Sequence, residues 1–197
     1  MSRLRPVSRR RRAGCPGDDR RVDEQAQPTL DGNVVSVDAA HQAVVFFRRF
    51  PHPVAEVWPY LSRPPLLRRW LAAADRLDPA EGGGVVLRWL NTDPEGRTVI
   101  ATGTVSAYDP PTLLQLDLDP HGRVRFELSD DGGGSALAFS AAVPAPIEQP
   151  ALLLAGWHLH LDYLAQALDG AEVDWPTWDP ARDWQPLHDA YAARGSG

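Results

Sequence analysis

The stretch LLQLDLD at residues 113–119 constrains the fold more than any other part of the chain. It alternates strictly, so Leu114, Leu116 and Leu118 share one face of an extended strand. The pattern then repeats. RVRFEL places Val124, Phe126 and Leu128 on one face, and SALAFSAAV follows. Upstream, TVIATGTVSAY is rich in β-branched residues, and VVLRWL follows the glycines of EGGG. The connections are short and carry Gly or Pro: NTDPEGR, DPPT, Pro120–Gly122 and DDGGG. Strands at this spacing with tight turns predict an antiparallel meander.

The flanks switch between two periods. NVVSVDAAHQAVVFFRRF reads as two short strands around a DAAHQ turn, with Val44, Phe46, Arg48 and Phe50 on one face and Val45, Phe47 and Arg49 on the other. Pro53 opens a helix whose Val54, Val57, Trp58 and Leu61 fall at helical spacing. Pro59 is expected to end or kink it. PPLLRRWL reads as a second short helix from Pro64. After the meander, residues 147–168 form the longest helical pattern, with the stripe Leu153, Trp157, Leu161, Leu164 and Leu168, and Gly170 is placed as its stop. Residues 171–197 are polar but contain Trp175, Trp178 and Trp184, and a short helix is expected near residues 182–193.

Composition bounds the function. Hydrophobic residues make up 43% of the 197, enough for a core. All 20 basic residues are Arg, and the net charge is −6. Eight Arg against four acids lie in residues 1–30, and 12 against 22 in the remainder. The acidic body argues against nucleic-acid binding by the folded part. Residues 1–30 read as a disordered Arg-rich tail, either solvated or an arm attracted to nucleic acid or membrane. Cys15 is the single cysteine, which rules out an intrachain disulfide. No apolar run approaches the ~18 residues of a membrane span, and no apolar stretch accompanies the N-terminal arginines, so a cytoplasmic protein is expected. The organisation expected is a tail at 1–30, a domain at 31–170 and an extension at 171–197 packed on it.

The helix segment AGWHLHLDYL raises the question of a metal site. At about 100° per residue, His158 and His160 lie about 200° apart and cannot grip one ion, and neither has a His or Cys four residues away. His158 has Asp162 at i+4, a spacing suited to a surface hydrogen bond. His160 lies beside the apolar stripe, as a satisfied core residue or as one lining a cavity. Gly156 in mid-helix costs about 1 kcal/mol against Ala, so close approach by another element is expected there.

The order of these motifs resembles a known family. RRF-x-H-P ending at Pro53, V-W at residues 57–58, P-x-L-L-x-x-W from Pro64, G-T-V-S-A-Y-D-P-P at Gly103–Pro111, A-G-W-H-x-x-L-D-x-L at Ala155–Leu164 and W-x-x-L-H-x-x-Y at Trp184–Tyr191 are similar to the SRPBCC (START-like, Bet v 1-like) superfamily, in the branch of homologues of the activator of heat shock protein 90 ATPase. The resemblance covers about residues 33–194. It implies an α+β helix-grip fold: an antiparallel sheet of six to seven strands wrapped round the long C-terminal helix, with two short helices after the first strand.

The resemblance also implies a cavity between sheet and helix that takes a small hydrophobic or amphipathic ligand, without a cofactor, a metal or a shared catalytic residue. The candidate lining is Phe46, Arg48, Trp70, Trp89, Leu116, Phe126, Trp157, His160 and Leu161, with Arg48 orienting a polar group of the ligand. The alternatives are a chaperone-linked interaction protein, or a cyclase- or hydrolase-type enzyme using His160 and Arg48.

Overall fold

The computed structural model of the chain describes residues 31–92 and 96–195, so the reading of residues 1–30 lies outside the described residues. Among these, eight strands form one antiparallel sheet. In chain order they are β1 (Asn33–Ser36), β2 (His41–Phe50), β3 (Ala72–Leu77), β4 (Gly84–Trp89), β5 (Ile100–Asp109), β6 (Leu113–Asp119), β7 (Gly122–Asp130) and β8 (Ser135–Pro144). The sheet order is β1-β2-β8-β7-β6-β5-β4-β3. Thus β3 to β8 are a simple meander, and the first hairpin joins the end where the meander finishes.

Two short helices, α1 (Val54–Ser62) and α2 (Pro64–Leu67), separate β2 from β3. The long helix α3 (Pro150–Leu168) follows β8. Beyond it come a 3-10 turn at Trp175–Thr177, then α4 (Pro180–Asp183) and α5 (Gln185–Gly195).

The strand count exceeds the expected six to seven because β3 leaves no alternating pattern. Its sequence AAADRL has low strand propensity and a register shift between Ala74 and Arg76. It is a strand because β4 offers it a partner, pairing Ala72 with Trp89 and Ala74 with Leu87. Pro59 does not end α1. The helix continues to Ser62, and the amide of Arg63 donates to the Pro59 carbonyl at 2.9 Å.

The ends of α3 have local causes. The amide of Ile147 donates to Gln42 Oε1 at 2.9 Å, which holds that residue out of the helix. Pro150 starts α3 at a first-turn position where its missing N–H is not needed. At the other end Gly170, with φ +92°, closes a Schellman motif. Its own amide donates to Ala167 and that of Ala171 to Gln166, at 3.1 and 3.0 Å.

The register builds the core. Opposed residues in neighbouring strands share a face. Tyr108, Leu114, Phe126, Phe139 and Phe46 therefore form one row across β5, β6, β7, β8 and β2. Beneath it α3 buries Leu154, Trp157, Leu161, Leu164 and Ala167, and also Ala155, His158, Leu159 and His160. The predicted stripe holds at Trp157, Leu161 and Leu164, while Leu153 and Leu168 are only partly buried. A helix buried on so many sides needs cover away from the sheet. That cover is α5, whose Leu187 and Tyr191 are buried.

Candidate ligand-binding interior

Trp70, Phe126, Phe139, Trp157 and His160 make a closed circuit between sheet and α3. Ring centroids are 6.2 Å apart for Trp70–Phe126, 5.2 Å for Phe126–Phe139, 4.6 Å for Phe139–Trp157 and 6.3 Å for Trp157–His160. The circuit closes where His160 Nδ1 meets the Trp70 carbonyl at 3.0 Å, a contact in which the ring N–H donates. Trp70 is fixed at its other polar end, because its Nε1 donates to the Tyr60 carbonyl at 2.9 Å. Phe46 extends the row from Phe139 at 6.1 Å. Leu116 and Leu161 are buried in the same core. Burial brings the His160 pKa from 6.5 down to about 4, so the imidazole is neutral at pH 7.

Trp89 is buried at the end of β4 and stacks on His121 of the β6–β7 turn, with centroids 4.1 Å apart and planes tilted by 32°. Burial lowers the His121 pKa as well. A charge on His121 would lower the His160 pKa further, which puts the two rings within electrostatic reach of each other.

Arg48 stands apart from this aromatic group. Its guanidinium is ion-paired with Asp31 and with Asp162, the latter at 3.2 Å. Burial draws its pKa down while Asp162 pulls it up, and an Arg so placed stays charged. His158 belongs to the same group. It is 4% exposed, its Nδ1 is 2.8 Å from the Tyr191 hydroxyl, and its Nε2 is 3.3 Å from Asp162. The His158–Asp162 pair is therefore not a wholly exposed contact: His158 is buried beside Tyr191 of α5, and Asp162 is half exposed. The Tyr191 hydroxyl also accepts from the Gly32 amide at 3.0 Å. Arg48 and His160 are held on different sides of α3, one by Asp162 and Asp31 and the other by Trp70. Gly156 has no close neighbour either, since an added Cβ would find nothing within 4 Å.

Sequence reasoning missed Phe139, His121, Tyr191 and Asp31. Phe139 was available by parity with Leu137 and Ala141 in SALAFSAAV. The other three lie in a turn, a terminal helix and a segment before β1, where no period marks an inward side.

Three surface grooves of about 710, 450 and 350 Å3 lie away from the nine candidate residues. The largest includes Thr102, Asp117, Arg123 and Ala142, which alternate with buried residues and face away from α3. Among the described residues no helix is long and apolar enough to cross a membrane.

An open antiparallel sheet closed by one long C-terminal helix, with two short helices after the first hairpin, defines the helix-grip class. Within that class the chain belongs to the family described as Activator of Hsp90 ATPase homolog 1-like protein, whose sequence pattern matches residues 51–169 and which is part of the SRPBCC superfamily.

Several solved structures are similar. A Bordetella parapertussis protein determined by NMR is 28% identical with a TM-score of 0.60, covering 85% of this chain and 91% of its own. CalU16 from Micromonospora echinospora is 23% identical with a TM-score of 0.59, over 84% of this chain and 94% of its own. DynU16, from the dynemicin biosynthetic locus, is 20% identical with a TM-score of 0.56, over 66% of this chain and 48% of its own. The latter two share the fold. No curated protein sequence matches the chain.

Proposed function

We propose that this chain is a non-enzymatic binder of a small apolar or amphipathic molecule, held between the sheet and α3. The observation that carries this reading is the closed circuit of Trp70, Phe126, Phe139, Trp157 and His160, which surrounds the interior with flat apolar surface and one neutral polar side chain. Small-molecule sites have this make-up: mostly apolar and aromatic walls with few polar groups. Arg48 then acts by holding α3 to β2 and the residue-31 segment, since both of its ionic partners are protein carboxylates. The rings touch one another, so a ligand enters by displacing ring contacts, and Trp157 reports its arrival.

The test is native mass spectrometry of freshly purified protein, paired with titration of the neutral fluorescent probe N-phenyl-1-naphthylamine. A co-purifying small molecule, or stoichiometric probe binding with a change in tryptophan emission, is expected. Absence of both would retire the reading.

A further inference from the structure

A ligand held between the sheet and α3 has to pass the rings that close the circuit, and the contacts around His160 show where. Among the described residues three further rings touch the circuit. Phe46 lies on Phe139 at 6.1 Å, and Tyr163 and Trp175 each lie on His160 at 6.2 Å. Phe46 is buried, whereas Tyr163 and Trp175 are half-buried. Those two also meet edge to face at 6.0 Å. Trp175, unlike Tyr163, lines a groove, the one of about 350 Å3 between Pro65 and Arg68 on one side and Val173 and Pro176 on the other. Its indole therefore has the circuit on one side and the groove on the other.

The segment that carries Trp175 is lightly tied. It leaves α3 at Gly170 and reaches α4 with the 3-10 turn at Trp175–Thr177 as its only regular structure. Its bonds to the turn after α2 run to two consecutive residues. The Val173 amide donates to the Arg69 carbonyl at 3.1 Å, and Trp175 Nε1 donates to the Arg68 carbonyl at 2.8 Å. The Arg69 guanidinium donates to the Gly170 carbonyl at 3.1 Å and pairs with Glu172 at 3.3 Å. The bonds of Trp175 and of the Arg69 side chain are exposed to water. Segments held by few, solvent-exposed bonds open at far lower cost than the core. Swinging the Trp175 indole outward breaks one hydrogen bond and two ring contacts and leaves the sheet untouched.

Resting on the binding reading above, we infer that Trp175 is the gate of the interior: a flat, neutral ligand docks in the groove beside α2 and enters past His160 when the indole leaves the Arg68 carbonyl. The ligand is neutral because His160 behind the gate is neutral at pH 7 and Arg69 beside it is already paired with Glu172. A gate lies on the path and not against the bound ligand. It sets how fast the ligand enters and leaves, by the same factor in both directions, and leaves the affinity alone.

The experiment is stopped-flow fluorescence of N-phenyl-1-naphthylamine with the full chain, with Trp175→Ala and with Arg69→Ala. The second variant keeps the ring but removes the ties to Gly170 and Glu172, so it decides the matter if Trp175→Ala does not fold. In Trp175→Ala the association and dissociation rate constants are both expected to rise about 10-fold, the scale of the ring contacts that opening breaks, with Kd within about 3-fold of wild type. Arg69→Ala should shift both rates the same way by less. Unchanged rates in both variants overturn the gate while the binding reading stands. So does a weaker Kd that comes from faster dissociation alone, since Trp175 would then be a wall of the site. Failure of the probe to bind any form overturns the two together.

Discussion

Two histidines two residues apart on α3 meet opposite surroundings. His160 faces the aromatic circuit, where its ring nitrogen meets the Trp70 carbonyl, the rings of Trp157, Tyr163 and Trp175 lie around it, and its charged form is suppressed. His158 faces α5, where Tyr191, Asp162 and Asp31 surround it and Arg48 lies alongside. One side of the helix is neutral and packed by rings. The other is a network of charges that ties together β2, the residue-31 segment and the C-terminal helix. The difference teaches that α3 is gripped twice: by the sheet through shape, and by its C-terminal cover through polar pairing.

The largest effect should come from breaking the ring side. Trp157→Ala removes the indole in contact with Phe139 and should cost about 3–5 kcal/mol in urea unfolding. A cost under about 1 kcal/mol would mean that the indole borders open space and not packed rings.

Breaking the charged side should cost less. Arg48→Leu leaves Asp31 and Asp162 without their cation. A broken buried pair costs up to about 5 kcal/mol, but Asp162 is 44% exposed and water screens it, so about 2 kcal/mol is expected. Adding Asp31→Asn should recover part of the loss. If Arg48→Leu is neutral, the network does not hold α3.

The pH dependence separates the two sides further. In the unfolded chain His160 takes up a proton near pH 6.5, and in the folded protein only near 4. Between those values the unfolded state binds more protons, so this contribution is complete above pH 6.5 and is lost as the pH falls towards 4. About 2 kcal/mol should disappear between pH 7 and pH 5, read by urea titration at each. His160→Asn, which retains a donor for the Trp70 carbonyl, should flatten that slope. An unchanged slope in the variant would place the titration elsewhere.

The smallest effect concerns the residue between the two sides. Gly156 has room for a methyl group, so Gly156→Ala should raise stability by about 0.5–1 kcal/mol through helix propensity. A loss would show that another element does press on the helix there.

What the sequence determined is local and periodic. Strict alternation in LLQLDLD and RVRFEL, with short Gly- or Pro-bearing turns between the segments, was enough for the meander. Pro53, Pro64 and Gly170 marked where helices begin or stop, because proline and glycine act through their own backbone. The 3.6-residue period placed Trp157, Leu161 and Leu164 against the sheet. The tertiary structure decided whatever depended on a partner far along the chain. The strand β3 exists because β4 accepts it. Phe46, Phe126 and Phe139 make one row because of strand register, which no single strand encodes. His158 looked like a surface residue because the helical period identifies one covered side, and the second cover, Tyr191, lies 33 residues further on.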